Sequence, residues 1–141
     1  MKLSYIALAA FAAALLSSPA QAQADVVTRQ LDGVVAGMAE RGFVPLADAI
    51  MGTLAAGADE EFELELEGND YAVMAFCDNG CTDLDLALAD EDGDEVESDR
   101  ADDDYPVLTL ASQRGTFVLS VEMAACSREQ CHYGVRVFRK Q

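Results

Sequence analysis

The chain is 141 residues long and carries 26 acidic against 9 basic side chains, a formal net charge of -17. That excess excludes nucleic acid, whose phosphates require a basic surface, and it opposes contact with anionic membrane surfaces. A hydrophobic content of 51% excludes a disordered acidic tail, and the length fits one compact domain.

Residues 1–22 have the pattern of a secretory signal peptide. Met1-Lys2 supplies a positive start, Leu3 to Leu16 is an uncharged apolar run, and Ser17-Ser18-Pro19 breaks it. Ala20-Gln21-Ala22, followed by Gln23-Ala24-Asp25, offers two overlapping small-residue cleavage sites. The apolar run is shorter than the roughly 20 residues that a membrane span requires. The expected product is exported to a periplasm or beyond, with no membrane span once the leader is removed.

Residues 23–44 are expected to hold one short helix. Val26, Val27, Leu31, Val34, Val35 and Met38 recur at spacings of three and four, which marks one helical face. Gly33 and Gly37 weaken it by up to ~1 kcal/mol each relative to alanine, and Gly42 followed by Pro45 would end it.

From residue 45 to residue 141 the period changes to two. Glu61 to Glu67 alternates acid and apolar without a fault, so one strand face is buried and the other solvated. Gly68-Asn69-Asp70 is predicted to turn the chain into a second strand, Tyr71 to Cys77. Asp83 to Leu88 alternates again, and Asp92-Gly93 is a hairpin signal. Tyr105 to Leu110, Thr116 to Met123 and His132 to Phe138 complete about seven or eight short strands, the pattern of an antiparallel β-sandwich of jelly-roll type. The expected core is Phe62, Leu64, Leu66, Val73, Leu84, Leu86, Leu88, Val107, Leu108, Phe117, Leu119, Val121, Val135 and Val137.

The four cysteines, Cys77, Cys81, Cys126 and Cys131, permit three disulfide connectivities. Local pairing, Cys77 with Cys81 and Cys126 with Cys131, is the simplest, each bond clamping a hairpin tip. Loops this short remove only about 2 kcal/mol of chain entropy each. Export and the spacing both argue against zinc, and no C-x-x-C redox motif is present.

Several of these runs together resemble the bacterial pre-peptidase C-terminal domain. The similarity begins at Gly52-Thr53-Leu54-Ala55-Ala56-Gly57 with Phe62, and continues through Gly68 and Tyr71. Asp83-Leu84-Asp85-Leu86 with Asp90 and Gly93 is its most specific part, followed by Asp102 to Val107 and Gly115 to Val121. It covers about residues 48 to 138. The resemblance implies a jelly-roll sandwich acting as a non-catalytic module that aids secretion, stability or substrate attachment of a partner.

Catalysis is not expected. His132 is the single histidine and stands beside Cys131, where the simplest reading is a strand-end surface residue. None of Ser98, Ser112, Ser120 and Ser127 has a G-x-S-x-G setting. A hydrolase using two carboxylates would need an acid of raised pKa in a cleft.

The chemically loaded feature is the acid density: 20 acidic residues lie between Asp59 and Asp104, against Arg100 alone. Asp90, Asp92 and Asp94 in one loop, with Asp102, Asp103 and Asp104 in another, are of the hard-oxygen type that suits Ca²⁺. Asp90, Asp92 and Asp94 match the first three EF-hand ligands, but Glu95 occupies the glycine position and Ala101 that of the bidentate glutamate. A calcium site here requires both loops to meet at one end of the sandwich. The leading expectation is a non-catalytic exported module that binds or stabilises an extracytoplasmic protein or polymer, with a calcium-binding module as the alternative.

Overall fold

The computed structural model describes residues 18–141. Most of the predicted leader, residues 1–17, lies outside the described residues. The elements are α1 (Pro19–Glu40), β1 (Phe43–Pro45), β2 (Ile50–Leu54), β3 (Asp59–Cys77), β4 (Cys81–Ala89), β5 (Glu95–Asp99), β6 (Val107–Cys126) and β7 (Cys131–Lys140). The strands form one antiparallel sheet in the order β1-β7-β3-β6-β4-β5, with β2 also paired to β7.

This single sheet becomes an open sandwich because two strands are long enough to bend. The runs Glu61–Glu67 and Tyr71–Cys77 belong to one strand of 19 residues, not to two strands joined by a turn. The runs around Val107 and Thr116 likewise belong to one strand of 20 residues. The pairing register of β3 with β6 shifts between Glu67 and Asn69 and again between Asn69 and Tyr71, so the pair bends there. Gly68 adopts φ +90°, a backbone conformation that side chains disfavour. Ser112, opposite, sits at φ 51°, and its N–H donates to Asp70 Oδ1 at 3.0 Å. The Glu67 N–H donates to the Tyr71 hydroxyl at 2.8 Å. Gly68-Asn69-Asp70 therefore reverses no chain; it makes a corner that both strands turn together.

Two layers follow. In the first, the Tyr71–Cys77 half of β3 lies between β7 and the start of β6. In the second, β6 runs between the Asp59–Glu67 half of β3 and β4, with β5 at the far edge. Leu84, Leu86 and Leu88 of β4 share one core with Val73 of β3, Leu119 and Val121 of β6, and Val135 of β7. Of the expected core, Val107 is 39% exposed. Its neighbours Leu108 and Leu110 point inward, and alternation turns Val107 out beside Met74. Phe62 and Leu64 are only half-buried, because their half of β3 pairs with β6 on one side alone. Large core members outside the expected set are Tyr71, Met123, Tyr133 and Phe138.

Helix α1 covers the outer face of the first layer. Ser18 caps it, its hydroxyl accepting from the Gln21 N–H at 3.2 Å, and Pro19 opens the first turn. The helix therefore starts earlier than the periodic face alone suggests. Val27, Leu31 and Met38 are its buried residues. It can approach β7 closely because Gly134 has no side chain: a Cβ there would stand 2.6 Å from Leu31 Cδ1 and 2.8 Å from Val27 Cγ1. Further along β7, Arg136 reaches Asp32 at 3.6 Å, and Phe138 packs in a second apolar cluster with Met38 and Ala72.

Leu86 is fully buried between the layers. Leu86→Ala is expected to cost about 2–5 kcal/mol in denaturant unfolding, whereas Val107→Ala stays within ~0.5 kcal/mol. Equal small losses would refute the inward orientation of β4.

Candidate functional site

With α1 over the first layer, the outer face of the second layer is the uncovered one. Its residues follow from the alternation: Leu64, Leu66, Leu84 and Leu86 point inward, so Glu63, Glu65, Asp83 and Asp85 point outward. The register then sets like charges across the strands. Asp59 of β3 pairs with Glu122 of β6, and Glu122 pairs with Asp85 of β4. Cations stand at the margins of this face: Arg114 is the register partner of Glu67, Arg139 reaches Glu67 at 3.6 Å from the rim, and Arg100 acts on Asp85 and Glu122, while Thr116 Oγ1 donates to Glu65 at 2.6 Å.

Two carboxylates register that crowding. Burial pushes the Asp83 pKa up, and Asp102, Asp103 and Glu122 add to the rise. Asp85 is also raised, first by burial and then by Asp83 and Glu122, with Arg100 opposing. Each has its Oδ1 enclosed without a hydrogen-bond partner. Glu95 shows the contrast: the Arg100 guanidinium, 2.6 Å away, leads the interactions that hold its carboxyl down to about 2. The raised acids stand on a sheet face.

The acidic loops named for calcium stand apart. Asp90, Asp92 and Asp94 form the β4–β5 hairpin, where Asp90 Oδ1 accepts from the N–H groups of Asp92 at 3.0 Å and Asp94 at 2.9 Å. Asp102, Asp103 and Asp104 lie in the β5–β6 connection, and the Asp103 carbonyl accepts from the Leu84 N–H. The first triad follows the end of β4 and the second lies beside its beginning. Six residues of strand separate Leu84 from Asp90, roughly 20 Å. The fold does not bring the two triads together, because β5 carries the chain back along β4. Among the described residues, no group of three or more His, Cys, Asp or Glu side chains is placed to hold a metal ion.

At one end of the sandwich the chain crosses twice between layers, from β3 to β4 and from β6 to β7. The disulfides Cys77–Cys81 and Cys126–Cys131 close these crossings. The pairing is the local one, but neither bond clamps a hairpin tip, since β3 does not pair with β4 nor β6 with β7. Cys81 and Cys126 are themselves register partners, which sets the crossings side by side.

Asp78, inside the first disulfide loop, is 1% exposed and joins both crossings. Its Oδ1 accepts from the Gly80 N–H at 2.8 Å. Its Oδ2 accepts from the His132 N–H at 2.8 Å and lies 3.1 Å from His132 Nδ1. The Arg128 guanidinium lies 3.5 Å from Oδ1. Burial by itself pushes the Asp78 pKa up; the His132 and Gly80 amides, then the His132 ring and Arg128, together bring it below the usual carboxylate range. His132 is thus no free surface residue: its side chain is 23% exposed and tied to a buried acid.

An aspartate–histidine pair invites comparison with a catalytic dyad, but the hydroxyl and sulfur groups described beside it are engaged elsewhere. Ser127 Oγ donates to the Gly80 carbonyl at 2.9 Å, and Cys131 is oxidised. The groove beside the pair, about 330 Å³, is lined by Arg128, Gln130, His132 and Gln23, and by Pro19 and Ala20, which belong to the expected leader. The local signal for this cluster was Asp78-Asn79-Gly80, which forms an Asx-type turn; its partners lie far along the chain.

No protein-family model matches the chain, and no curated protein matches its sequence. Among solved structures, part of the fold is similar to that of Aeromonas hydrophila PliG, a periplasmic lysozyme inhibitor of g-type lysozyme. The likeness has a TM-score of 0.46 at 13% sequence identity, and covers 66% of this chain and 85% of that one.

Two electrostatic outcomes follow. Asp78 has a depressed folded-state pKa, so its contribution is complete above the ordinary value near 4 and is lost as pH falls through the lower folded value. Asp78→Asn is expected to cost about 3–5 kcal/mol in urea unfolding at pH 7, with a shallower loss of stability below pH 4 than the parent. Unchanged stability and unchanged acid slope would remove the carboxylate from its central role. Asp85 has the opposite sign, its folded pKa being raised. Asp85→Asn is expected to stabilise by about 0.2–1 kcal/mol at neutral pH, by removing a charge that burial, Asp83 and Glu122 all disfavour, and the gain should vanish as pH falls and Asp85 itself is protonated. A pH-independent gain would point to a cause other than charge.

Proposed function

We propose that this chain is a non-catalytic exported β-module whose bare acidic sheet face docks a cationic surface of a partner protein. The observation that carries the reading is the asymmetry of the sandwich: α1 covers one outer face, while the other presents Asp59, Glu61, Glu63, Glu122 and Asp85 across three paired strands. An ordinary solvated sheet face mixes signs; opposed like charges cost stability, and here they are concentrated where nothing folds over them. A cationic partner would lower the cost of ionising Asp83 and Asp85, which converts that local penalty into binding free energy.

Two closed disulfides suit an oxidising, extracytoplasmic compartment. Among the described residues, no helix is long and apolar enough to cross a membrane. Against catalysis stands the chemistry of the Asp78–His132 pair, whose neighbouring hydroxyl and sulfur groups are already engaged.

The test compares two triple variants of equal charge change. One neutralises the face (Glu61→Gln, Glu63→Gln, Glu122→Gln), and the other neutralises the hairpin (Glu91→Gln, Asp92→Asn, Asp94→Asn). Binding to a cationic probe protein, cytochrome c, is measured by calorimetry at low and physiological salt. The face variant is expected to bind about tenfold more weakly and to lose most of its salt dependence, with the hairpin variant close to the parent. Equal weakening by both would mean that net charge alone is sensed, and would sink the face as a docking surface.

A further inference from the structure

The two cystines close the same end of the sandwich yet meet solvent unequally. Cys77 and Cys81 are 1% and 4% exposed and Cys131 is 0% exposed, whereas Cys126 is partly exposed. Beyond Cys126 the chain runs through residues 127–130, all exposed, before Cys131 returns it to β7. That loop carries two of the contacts that hold the crossings together. Ser127 donates to the Gly80 carbonyl through its N–H at 2.8 Å and through its hydroxyl at 2.9 Å. Arg128 faces the buried Asp78 at 3.5 Å and also packs over Gly80.

Thiol–disulfide exchange requires a thiolate to reach a sulfur, so access decides which cystine reacts. From this difference we infer that Cys126–Cys131 is a redox-sensitive latch on the Asp78 cluster, opened by a dithiol reductant while Cys77–Cys81 stays oxidised. The thiolate of the dithiol attacks Cys126 Sγ. A mixed disulfide forms there, the Cys126–Cys131 bond breaks, and its electron pair leaves on Cys131 Sγ, which takes a proton from water. The second thiol of the reductant then displaces Cys126 and closes the reductant's own disulfide. Two electrons and two protons pass to the cystine.

Opening the latch frees residues 127–130, and with them the Ser127 and Arg128 contacts. The bonds from Asp78 to the Gly80 and His132 amides belong to the other crossing and to β7, so they remain. The redox state of the compartment thereby sets how firmly the two crossings are joined without dismantling the core.

The test uses the oxidised protein as it is, treated with dithiothreitol for increasing times in native buffer. Free thiols are trapped with N-ethylmaleimide and mapped by peptide mass spectrometry. Cys126 and Cys131 are expected to be labelled about tenfold sooner than Cys77 and Cys81, a difference that guanidinium abolishes. Simultaneous labelling in native buffer, or Cys77 and Cys81 first, overturns the inference. Hydrogen exchange on the trapped single-disulfide species is the second measurement. Faster exchange confined to residues 127–130, led by the Ser127 amide and with the Gly80 and His132 amides still protected, is the expected result; unchanged exchange at Ser127 would overturn the latch even with the predicted labelling order.

Discussion

The carboxylate of Asp78 is the constraint from which the rest of the architecture can be understood. A charge that is 1% exposed carries a desolvation cost of several kcal/mol unless donors surround it. Here the donors come from both crossings: Gly80 from the first, Arg128 from the second, and the His132 amide and ring from β7. Satisfying one buried acid therefore requires the ends of β3, β4, β6 and β7 to be assembled together. Each disulfide alone closes only a short loop; Asp78 is what couples the loops to each other.

The opposite end of the sandwich is held by different means. There the β3–β6 pair bends at Gly68 and Ser112, and Asp70 and Tyr71 tie the bend internally. One antiparallel sheet is thus folded over at its corner and closed at its open end by the paired crossings. The core between the layers is apolar and continuous. One acid enters from its rim: Glu60, at an inward position of β3, accepts a hydrogen bond at 2.5 Å from the fully buried Tyr133 hydroxyl. Burial, with the Glu60 carboxylate beside it, pushes the Tyr133 pKa up and keeps that hydroxyl a donor.

The same geometry explains why one face carries the charge. Helix α1 needs an outer surface with room for close approach, which Gly134 and Ala72 of the first layer provide. On the second layer the outward positions of β3 are Glu61, Glu63, Glu65 and Glu67. The helix and the acids therefore segregate to opposite sides, and the molecule presents an anionic sheet on a rigid support. At the free edge, β5 carries Glu95, Glu97 and Asp99, which discourages pairing with another strand.

Much of the fold was legible because the information is local. Period-two alternation identifies Glu61–Glu67 and Asp83–Leu88 as half-buried strands, the spacing of Val27, Leu31 and Met38 identifies a helical face, and short cysteine separations favour local disulfides. The sequence by itself also determined the acid excess. What only the tertiary structure decided are the properties that depend on distant partners. Gly68-Asn69-Asp70 looks like a turn until Ser112, 42 residues from Asp70, bends with it. Asp78 and His132, 54 residues apart, look like a turn residue and a strand end until the crossings meet. The acidic triads of the two loops look able to converge until the β4–β5 hairpin separates them along a strand. Alternation says which side of a strand is apolar; which of two outer faces a helix will cover depends on how the sheet folds, and that no local pattern encodes.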